Sequence, residues 1–142
     1  MKAPINELKM KIPALSVNEG ACRALVAAFC AQLDPNIEEL ADIKCAVSEA
    51  VTNCIVHAYA GRGGEIYITV GLYENREIAV QIRDRGCGIP DVREAMRPLY
   101  TTDTTGERSG MGFCVMESFM TRLRVSSRPG HGTRVTMWKK LS

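Results

Sequence analysis

Long apolar runs are missing from this sequence, because polar residues interrupt every apolar stretch within a few positions. A helix that crosses a bilayer needs about 20 mostly apolar residues, and a secretory leader needs an unbroken apolar segment near the start of the chain. The sequence therefore predicts neither a membrane span nor a secretory signal.

An excess of one charge sign is also missing. The chain has 18 basic and 16 acidic residues, interspersed along its length, for a net charge of +2. No basic run or arm is present that would follow a phosphate backbone. We therefore expect no direct nucleic-acid partner and no membrane partner.

The cysteines lack the spacing of a metal site or a disulfide framework. No CxxC pair and no partnered histidine cluster occurs, and most cysteines lie among apolar, helix-like neighbours, where a free thiol behaves as a small hydrophobic group. This usage fits a reducing cytoplasm. The six residues are Cys22, Cys30, Cys45, Cys54, Cys87 and Cys114.

The 142 residues, 46% of them hydrophobic, are enough for one domain with its own core, over residues 1–142. Ser16 and Glu19 have capping-box spacing, and Asp34 followed by Pro35 predicts the N-cap and first position of a second helix. The predicted elements are a strand over 5–12, helices over 17–33 and 35–58, hairpin strands over 65–73 and 77–84, a short helical segment over 91–99, a helix over 111–120, and a second hairpin over 122–128 and 133–141.

The order β-α-α-β-β-α-β-β contains two hairpins, so the sheet is expected to be mixed and largely antiparallel. With the helices on one face, the fold class is an α/β two-layer sandwich. A doubly wound nucleotide-binding fold is excluded, because its strands alternate with helices.

Glu49 and Asn53 are one turn apart on the second predicted helix. They lie away from the apolar seam formed by Leu40, Ile43, Val47, Val51 and Cys54. A carboxylate and an amide on a mostly apolar helix suit a covered site, although such a pair is also common on an ordinary helix surface.

Asp84, Gly86 and Gly88 follow directly on a predicted strand. The glycines permit positive φ and leave room for a flat ligand, and the carboxylate can accept a hydrogen bond from an exocyclic amine such as that of adenine. A tight Asp-Gly turn without a ligand is the alternative.

The residues Ser109-Gly110-Met111-Gly112 open the helix predicted over 111–120. Backbone N–H groups at a helix start favour an anion, and Arg108 just before them suits a terminal phosphate. A glycine-rich helix start without a ligand is again the alternative. The P-loop pattern is absent, so a nucleotide would be held in another way.

Three segments together resemble the N, G1 and G2 boxes of the GHKL ATPase/kinase superfamily. The likeness is strongest to its small serine-kinase anti-sigma factors, above all the anti-sigma-F type of spore-forming bacteria, and it extends over essentially the whole chain. The segments are SEAVTNCIVHAY over 48–59, DRGCGI over 84–89 and RSGMGF over 108–113.

The resemblance implies the GHKL (Bergerat) ATP-binding fold and a role for each motif residue. Glu49 would be the general base and Asn53 the Mg²⁺ ligand, in agreement with the preference of Mg²⁺ for a few protein oxygens plus phosphates and water. Asp84 would bind the adenine amino group. The remaining ATP-site residues would be Gly86 and Gly88 in the pocket, Ser109, Gly110, Met111 and Gly112 around the phosphates, Arg108 near the γ-phosphate, and Thr133 at the adenine end.

The resemblance also implies a reaction and partners. The γ-phosphoryl group of ATP would pass to a serine of an anti-anti-sigma STAS protein, which makes the chain a protein serine/threonine kinase. The nucleotide-bound protein would also bind and inhibit a sporulation sigma factor of the sigma-F type. It would be a homodimer, with Arg23 contacting sigma; by itself, Arg23 is typical of a solvated helix arginine.

The segment over 98–108 resembles an ATP lid but departs from the usual pattern at Asp103, Thr104, Thr105 and Gly106. Asp103 places negative charge near the phosphates, which would alter lid closure. The threonines are interpreted as lid polarity rather than phosphoacceptors. For His57 a packing role is weighed against that of a second base, and for Cys87 space filling against a thiol beside adenine.

Three alternative functions remain open. The chain would be a nucleotide-dependent sigma-binding module with weak or lost catalysis, the stress-response paralogue of the sporulation kinase, or a histidine-kinase ATPase domain without its dimerisation helices. Retention of both Glu49 and Asn53 favours the kinase over the pure binding module, since a binder needs no base.

Overall fold

The computed structural model describes residues 3–97 and 112–142. Its five strands form one sheet in the order β1-β2-β3-β5-β4. The strands are β1 (Asn6–Pro13), β2 (Glu65–Tyr73), β3 (Glu77–Arg83), β4 (Arg122–Arg128) and β5 (Gly132–Lys140), and the helices are α1 (Glu19–Cys30), α2 (Ile37–Asn53), α3 (Val92–Ala95) and α4 (Gly112–Phe119).

Every strand pair in the sheet is antiparallel. The expectation of a mixed, largely antiparallel sheet is therefore narrowed to a fully antiparallel one within the described residues. Both predicted hairpins are confirmed, as β2-β3 and β4-β5. The two-layer sandwich with helices on one face is confirmed as well.

The core lies between this sheet and the helices, and α2 packs against both α1 and α4. Alternation along β2 and β3 directs every second side chain inward. On α2 the predicted seam is buried at Ile43, Val47, Val51 and Cys54, whereas Leu40 is half-buried. The buried side chains of β2 and β3 are Ile66, Ile68, Val70, Leu72, Ile78, Val80 and Ile82.

The start of α2 differs from the prediction. Asp34 is not its N-cap, because Asp34 has a left-handed backbone (φ 53°) that ends the 3-10 turn Ala31–Leu33. The N-cap is Asn36, whose side chain accepts from the Glu39 N–H at 2.7 Å, while the Glu39 carboxylate accepts from the Asn36 N–H at 2.9 Å. Pro35 therefore precedes the cap instead of opening the helix.

The predicted capping box of the first helix is also wrong. Ser16–Asn18 form a 3-10 turn, and α1 begins at Glu19 without a side-chain cap. The Glu19 carboxylate instead accepts hydrogen bonds from Arg23 at 3.3 Å and from the Ser48 hydroxyl on α2. The Glu19 carboxylate therefore contacts Arg23 of its own helix and Ser48 of α2 instead of the backbone at residue 16.

The later helices begin close to their predicted positions, but α3 ends at Ala95, before the predicted end at residue 99. A π-helical turn, Cys54–Ala58, continues α2 to its predicted end at residue 58. The segment predicted over 91–99 is helical at Val92–Ala95, and the helix predicted over 111–120 is α4; residues 98, 99 and 111 lie outside the described residues. No helix in the described ranges is both long and apolar enough to span a bilayer.

Candidate nucleotide site

Glu49 and Asn53 lie one turn apart near the end of α2, and both are half-buried. The first described residue of α4, Gly112, faces them. A Cβ placed on Gly112 would lie 3.3 Å from both Asn53 side-chain atoms Nδ2 and Oδ1, and 3.4 Å from Glu49 Oε2. The packing of α2 on α4 therefore brings together two of the three predicted motifs, and only hydrogen fits at residue 112 without movement of its neighbours.

The π-helical turn after Asn53 connects this pair to the Asp84 loop. Its last carbonyl, that of Ala58, accepts a hydrogen bond from the Cys87 N–H at 3.0 Å. A Cβ at Gly86 would lie 2.3 Å from that same carbonyl oxygen. This distance is too short for any residue with a side chain. Gly86 is therefore required for this close approach to the Ala58 backbone, while only Gly88 of the two motif glycines has positive φ. A role of Gly86 in a nucleotide pocket stays a prediction.

Asp84 immediately follows β3 and is only 5% exposed. Its Oδ1 accepts from the Gly86 N–H at 2.9 Å and from the Thr133 N–H at 3.2 Å. Burial raises the pKa of the Asp84 carboxyl, and these backbone hydrogen bonds partly oppose the rise. A buried carboxyl fixed in this way presents a directed acceptor in a region from which water is largely removed.

The missing side chains of Gly88 and Gly132 let the backbone of the Asp84 loop lie directly against the β4-β5 hairpin. Gly88 has φ 76°, and a Cβ there would lie 2.3 Å from the Arg128 carbonyl oxygen. The Ser127 hydroxyl bridges the two segments, accepting from the Ile89 N–H at 2.7 Å and lying 2.8 Å from the Thr133 hydroxyl. The prediction that Thr133 belongs to the Asp84 end of the site is therefore consistent with its position.

Two supporting residues were missed by the sequence reasoning. The thiol of Cys54, assigned to the core seam, interacts with the Asp84 carboxylate. The Tyr59 hydroxyl donates to the Glu65 carbonyl at 2.6 Å and accepts from the Arg85 N–H at 2.7 Å. Both residues belong to the motif over 48–59, but no local pattern reveals the partners Asp84 and Arg85, which lie 30 and 26 positions further along the chain.

The remaining predicted residues do not all meet in this site. Arg23 lies on the outer side of α1, where it forms an ion pair with Glu19 at 3.3 Å and contacts the Ser48 hydroxyl. Cys87 is exposed, with Sγ 3.6 Å from the His57 carbonyl oxygen. Arg108, Ser109, Gly110 and Met111 lie outside the described residues, as do the lid positions Asp103, Thr104, Thr105 and Gly106.

The donor set around Gly112 suits a hard cation that keeps most of its ligands from water and phosphate. Within residues 3–97 and 112–142, no group of three or more His, Cys, Asp or Glu side chains forms a metal cluster. Glu49 contributes a carboxylate and Asn53 an amide oxygen to this end of α2. Mg²⁺ is commonly held by one or two protein oxygens together with nucleotide phosphates, so these residues fit it.

Among the described residues, an antiparallel sheet with helices on one face, the Glu49/Asn53 pair and the buried Asp84 before two glycines fit a nucleotide-binding domain of the ATPase type. The model of the histidine kinase-like ATPase domain family matches residues 12–139. Two curated relatives are the anti-sigma F factor of Caldanaerobacter subterraneus, 54% identical over 94% of this chain and 93% of its own length, and that of Bacillus licheniformis, 51% identical over 96% and 94%. The chain therefore belongs to the histidine kinase-like ATPase family, among the relatives named anti-sigma F factors.

Solved structures agree with this fold. The RsbU and RsbW domains of Rv1364c from Mycobacterium tuberculosis match with a TM-score of 0.70 and 22% identity. The match covers 99% of this chain but 34% of that one. At this identity the likeness shows the fold alone.

Proposed function

We propose that this chain, as a single domain over residues 1–142, is an ATP-dependent protein serine kinase that also binds and inhibits a sporulation sigma factor. The observation that carries the proposal is the meeting of Glu49 and Asn53 at Gly112. That meeting sets a carboxylate and a side-chain amide at the start of the helix that follows the glycine-rich segment, which supports roles for them as proton acceptor and metal ligand. The names of the curated relatives support the sigma-binding part.

Asn53 would hold Mg²⁺, and the bound ion would neutralise charge on the phosphates. Asp84 would accept from the adenine amino group, with Gly86, Gly88 and Thr133 shaping that end of the pocket. Ser109, Gly110, Met111 and Gly112 would surround the phosphates, and Arg108 would approach the γ-phosphate. Most of the rate would come from positioning and charge neutralisation.

Glu49 would take the proton from the attacking serine of an anti-anti-sigma STAS partner. The serine oxygen forms a bond to the γ-phosphorus as the bond from that phosphorus to the β–γ bridging oxygen breaks, and ADP leaves. General-base assistance of this kind contributes about 10²–10⁴-fold to a rate. Glu49 is thus the residue that distinguishes a kinase from a nucleotide-binding module.

The decisive experiment compares Glu49→Gln with the wild type, using γ-labelled ATP, Mg²⁺ and STAS proteins from the same genome. Phosphoserine formation should fall by about 10²–10⁴-fold, while ATP binding should stay within a few-fold. Glu38→Gln, which removes an exposed carboxylate from the same helix, is the matched control and should leave both activities near the wild-type level.

Equal loss of binding and transfer in Glu49→Gln would exclude the base role. A wild type that retains sigma in the presence of ATP but labels no STAS protein is the nucleotide-dependent binding module instead. Phosphorylation of a stress-response STAS protein in preference to a sporulation one would identify the paralogous function. A homodimer with Arg23 at the sigma contact is proposed as the binding form, to be tested by Arg23→Ala in the same sigma retention assay.

A further inference from the structure

The sheet face that none of the described helices covers carries a shallow groove of about 390 Å³. Strands β1, β2, β3 and β5 line the groove, mostly through outward-facing residues. Among the described residues that line the groove, four are cationic and none is acidic. The cations are Lys9, Lys11, Arg83 and Arg134, and the polar or aromatic residues between them are Tyr67, Thr69 and Gln81.

Strand register places Arg83 of β3 directly opposite Arg134 of β5. Within the described part of the chain, neither guanidinium has a carboxylate at ion-pair distance. Like charges directly opposite one another in a sheet are destabilising. A bound anion would offset any repulsion between these two side chains.

Two lysines on the edge strand β1 add positive charge to the same sheet face. Lys11 is opposite Tyr67, which is in turn opposite Arg83, so one row of the sheet runs from Lys11 to Arg134. Lys9 and Lys11 are 3.7 Å and 3.6 Å from Glu7 and Glu65, in pairs whose lysines are 73% and 58% exposed. Exposed pairs of this kind are weak, so the lysines can exchange partners readily.

Arginine side chains cover two of the aromatic rings on this face, those of Tyr67 and Trp138. The guanidinium carbons of Arg83 and Arg85 lie 4.6 Å and 5.0 Å from the centre of the Tyr67 ring, and that of Arg122 lies 4.0 Å from the Trp138 ring. Single-stranded nucleic acid binds by stacking bases on free rings, and these rings offer arginine instead. A face-to-face contact between two copies is also disfavoured, because an isologous interface would oppose cations to cations.

We propose that this open sheet face binds an acidic segment of a protein partner. Lys9 and Lys11 are two positions apart on β1, a separation of about 6.6–6.8 Å, and the row from Lys11 to Arg83 and Arg134 crosses the sheet, where neighbouring strands are about 4.7–4.9 Å apart. Several Asp or Glu side chains of one short segment would thus reach this cluster of cations together. This binding does not depend on the proposed kinase activity.

The test uses the full chain and a fluorescein-labelled peptide of alternating glutamate and serine, followed by fluorescence anisotropy at low ionic strength. The double variant Arg83→Gln/Arg134→Gln should weaken binding about fivefold, the effect of two exposed ion pairs. The control Lys44→Gln/Arg62→Gln removes the same charge from exposed sites elsewhere and should bind like the wild type. Raising the salt concentration should weaken wild-type binding.

Four outcomes would overturn the proposal. They are no binding of the peptide by the wild type, equal weakening in the control, preference for an oligonucleotide of the same charge, and a changed oligomeric state in the double variant. A peptide with glutamine in place of glutamate should not bind. If Arg83→Gln/Arg134→Gln proves unfolded by circular dichroism, Lys9→Gln/Lys11→Gln on the edge strand should give the same loss of binding.

Discussion

At the scale of single residues, Gly112 connects the two halves of the candidate site. Its missing side chain lets the start of α4 lie against Glu49 and Asn53, which belong to α2. A methyl group there would lie only 3.3–3.4 Å from three polar atoms. The neighbours that would have to move are the proposed base and the proposed metal ligand.

We therefore expect Gly112→Ala to weaken Mg-ATP binding about fivefold. Displacing a side chain from its preferred rotamer costs about 1 kcal/mol, which corresponds to that factor. Isothermal titration with ATP, with and without Mg²⁺, measures the effect, and the larger loss should occur with the metal present.

Gly20→Ala is the control for that substitution, since the nearest atom to a Cβ at residue 20 is 3.8 Å away, at Arg23. It should leave ATP affinity unchanged and raise the free energy of unfolding by less than the roughly 0.5–1 kcal/mol of a mid-helix glycine, because residue 20 is the second position of α1. Unchanged affinity in Gly112→Ala would show that close packing of Gly112 on Asn53 and Glu49 is not needed for Mg-ATP binding.

At the scale of elements, α2 carries both Glu49 and Asn53, and a defined cap stabilises the start of this helix. The reciprocal hydrogen bonds of Asn36 and Glu39 satisfy two backbone N–H groups at that start. The other end continues into the π-helical turn Cys54–Ala58. Such turns are frequent at functional sites, and this one supplies the carbonyl that holds the Asp84 loop.

Asn36→Ala should lower the free energy of unfolding by about 1 kcal/mol, the usual cost of removing an N-cap side chain. Urea denaturation followed by circular dichroism measures the change. Asp34→Asn, at the position that the sequence suggested as the cap, should stay within a few tenths of a kcal/mol because asparagine tolerates the left-handed backbone. A larger loss at Asp34 than at Asn36 would contradict the observed cap.

At the scale of the whole molecule, the two faces of one sheet have different chemistry. One face buries apolar side chains beneath α1, α2 and α4, and the ends of that layer hold the candidate nucleotide site. The other face presents cations in register. Because the nucleotide site joins α2, α4, the Asp84 loop and the β4-β5 hairpin, a bound nucleotide would connect most of the fold.

We expect ATP with Mg²⁺ to raise the free energy of unfolding by about 2.7 kcal/mol at a concentration 100 times its dissociation constant. GTP should give a much smaller shift, since it lacks the amino group that Asp84 would bind. Thermal unfolding at matched nucleotide concentrations measures both shifts.

Asp84→Asn should reduce the shift with ATP, whereas Asp34→Asn, an exposed position far along the chain, should keep it. Equal stabilisation of the wild type by ATP and GTP would show that the adenine role of Asp84 is wrong. The sigma and STAS partners are not needed for this measurement, so it tests nucleotide recognition alone.

The sequence by itself determined the element order, both hairpins and the identity of the motif residues. Those features depend on local periodicity and on short motifs, and the apolar alternation of β2 and β3 fixed which side chains are buried. The two wrong helix caps have the same origin, because a capping pattern is read from neighbouring residues alone. Glu19 does not pair with Ser16, since its carboxylate accepts from Arg23 and Ser48. Asp34 does not cap α2, since Asn36 and Glu39 form reciprocal hydrogen bonds there.

Only the tertiary structure decided which distant groups meet. The approach of Gly112 to Glu49 and Asn53, the contact of Cys54 with Asp84, and the opposition of Arg83 to Arg134 each join residues about 30 to 60 positions apart. Such contacts depend on helix packing and on the register of strands that are not neighbours in sequence. A chain without any basic run thus acquires a basic face, because strand alternation and pairing gather its scattered cations on one side of the sheet.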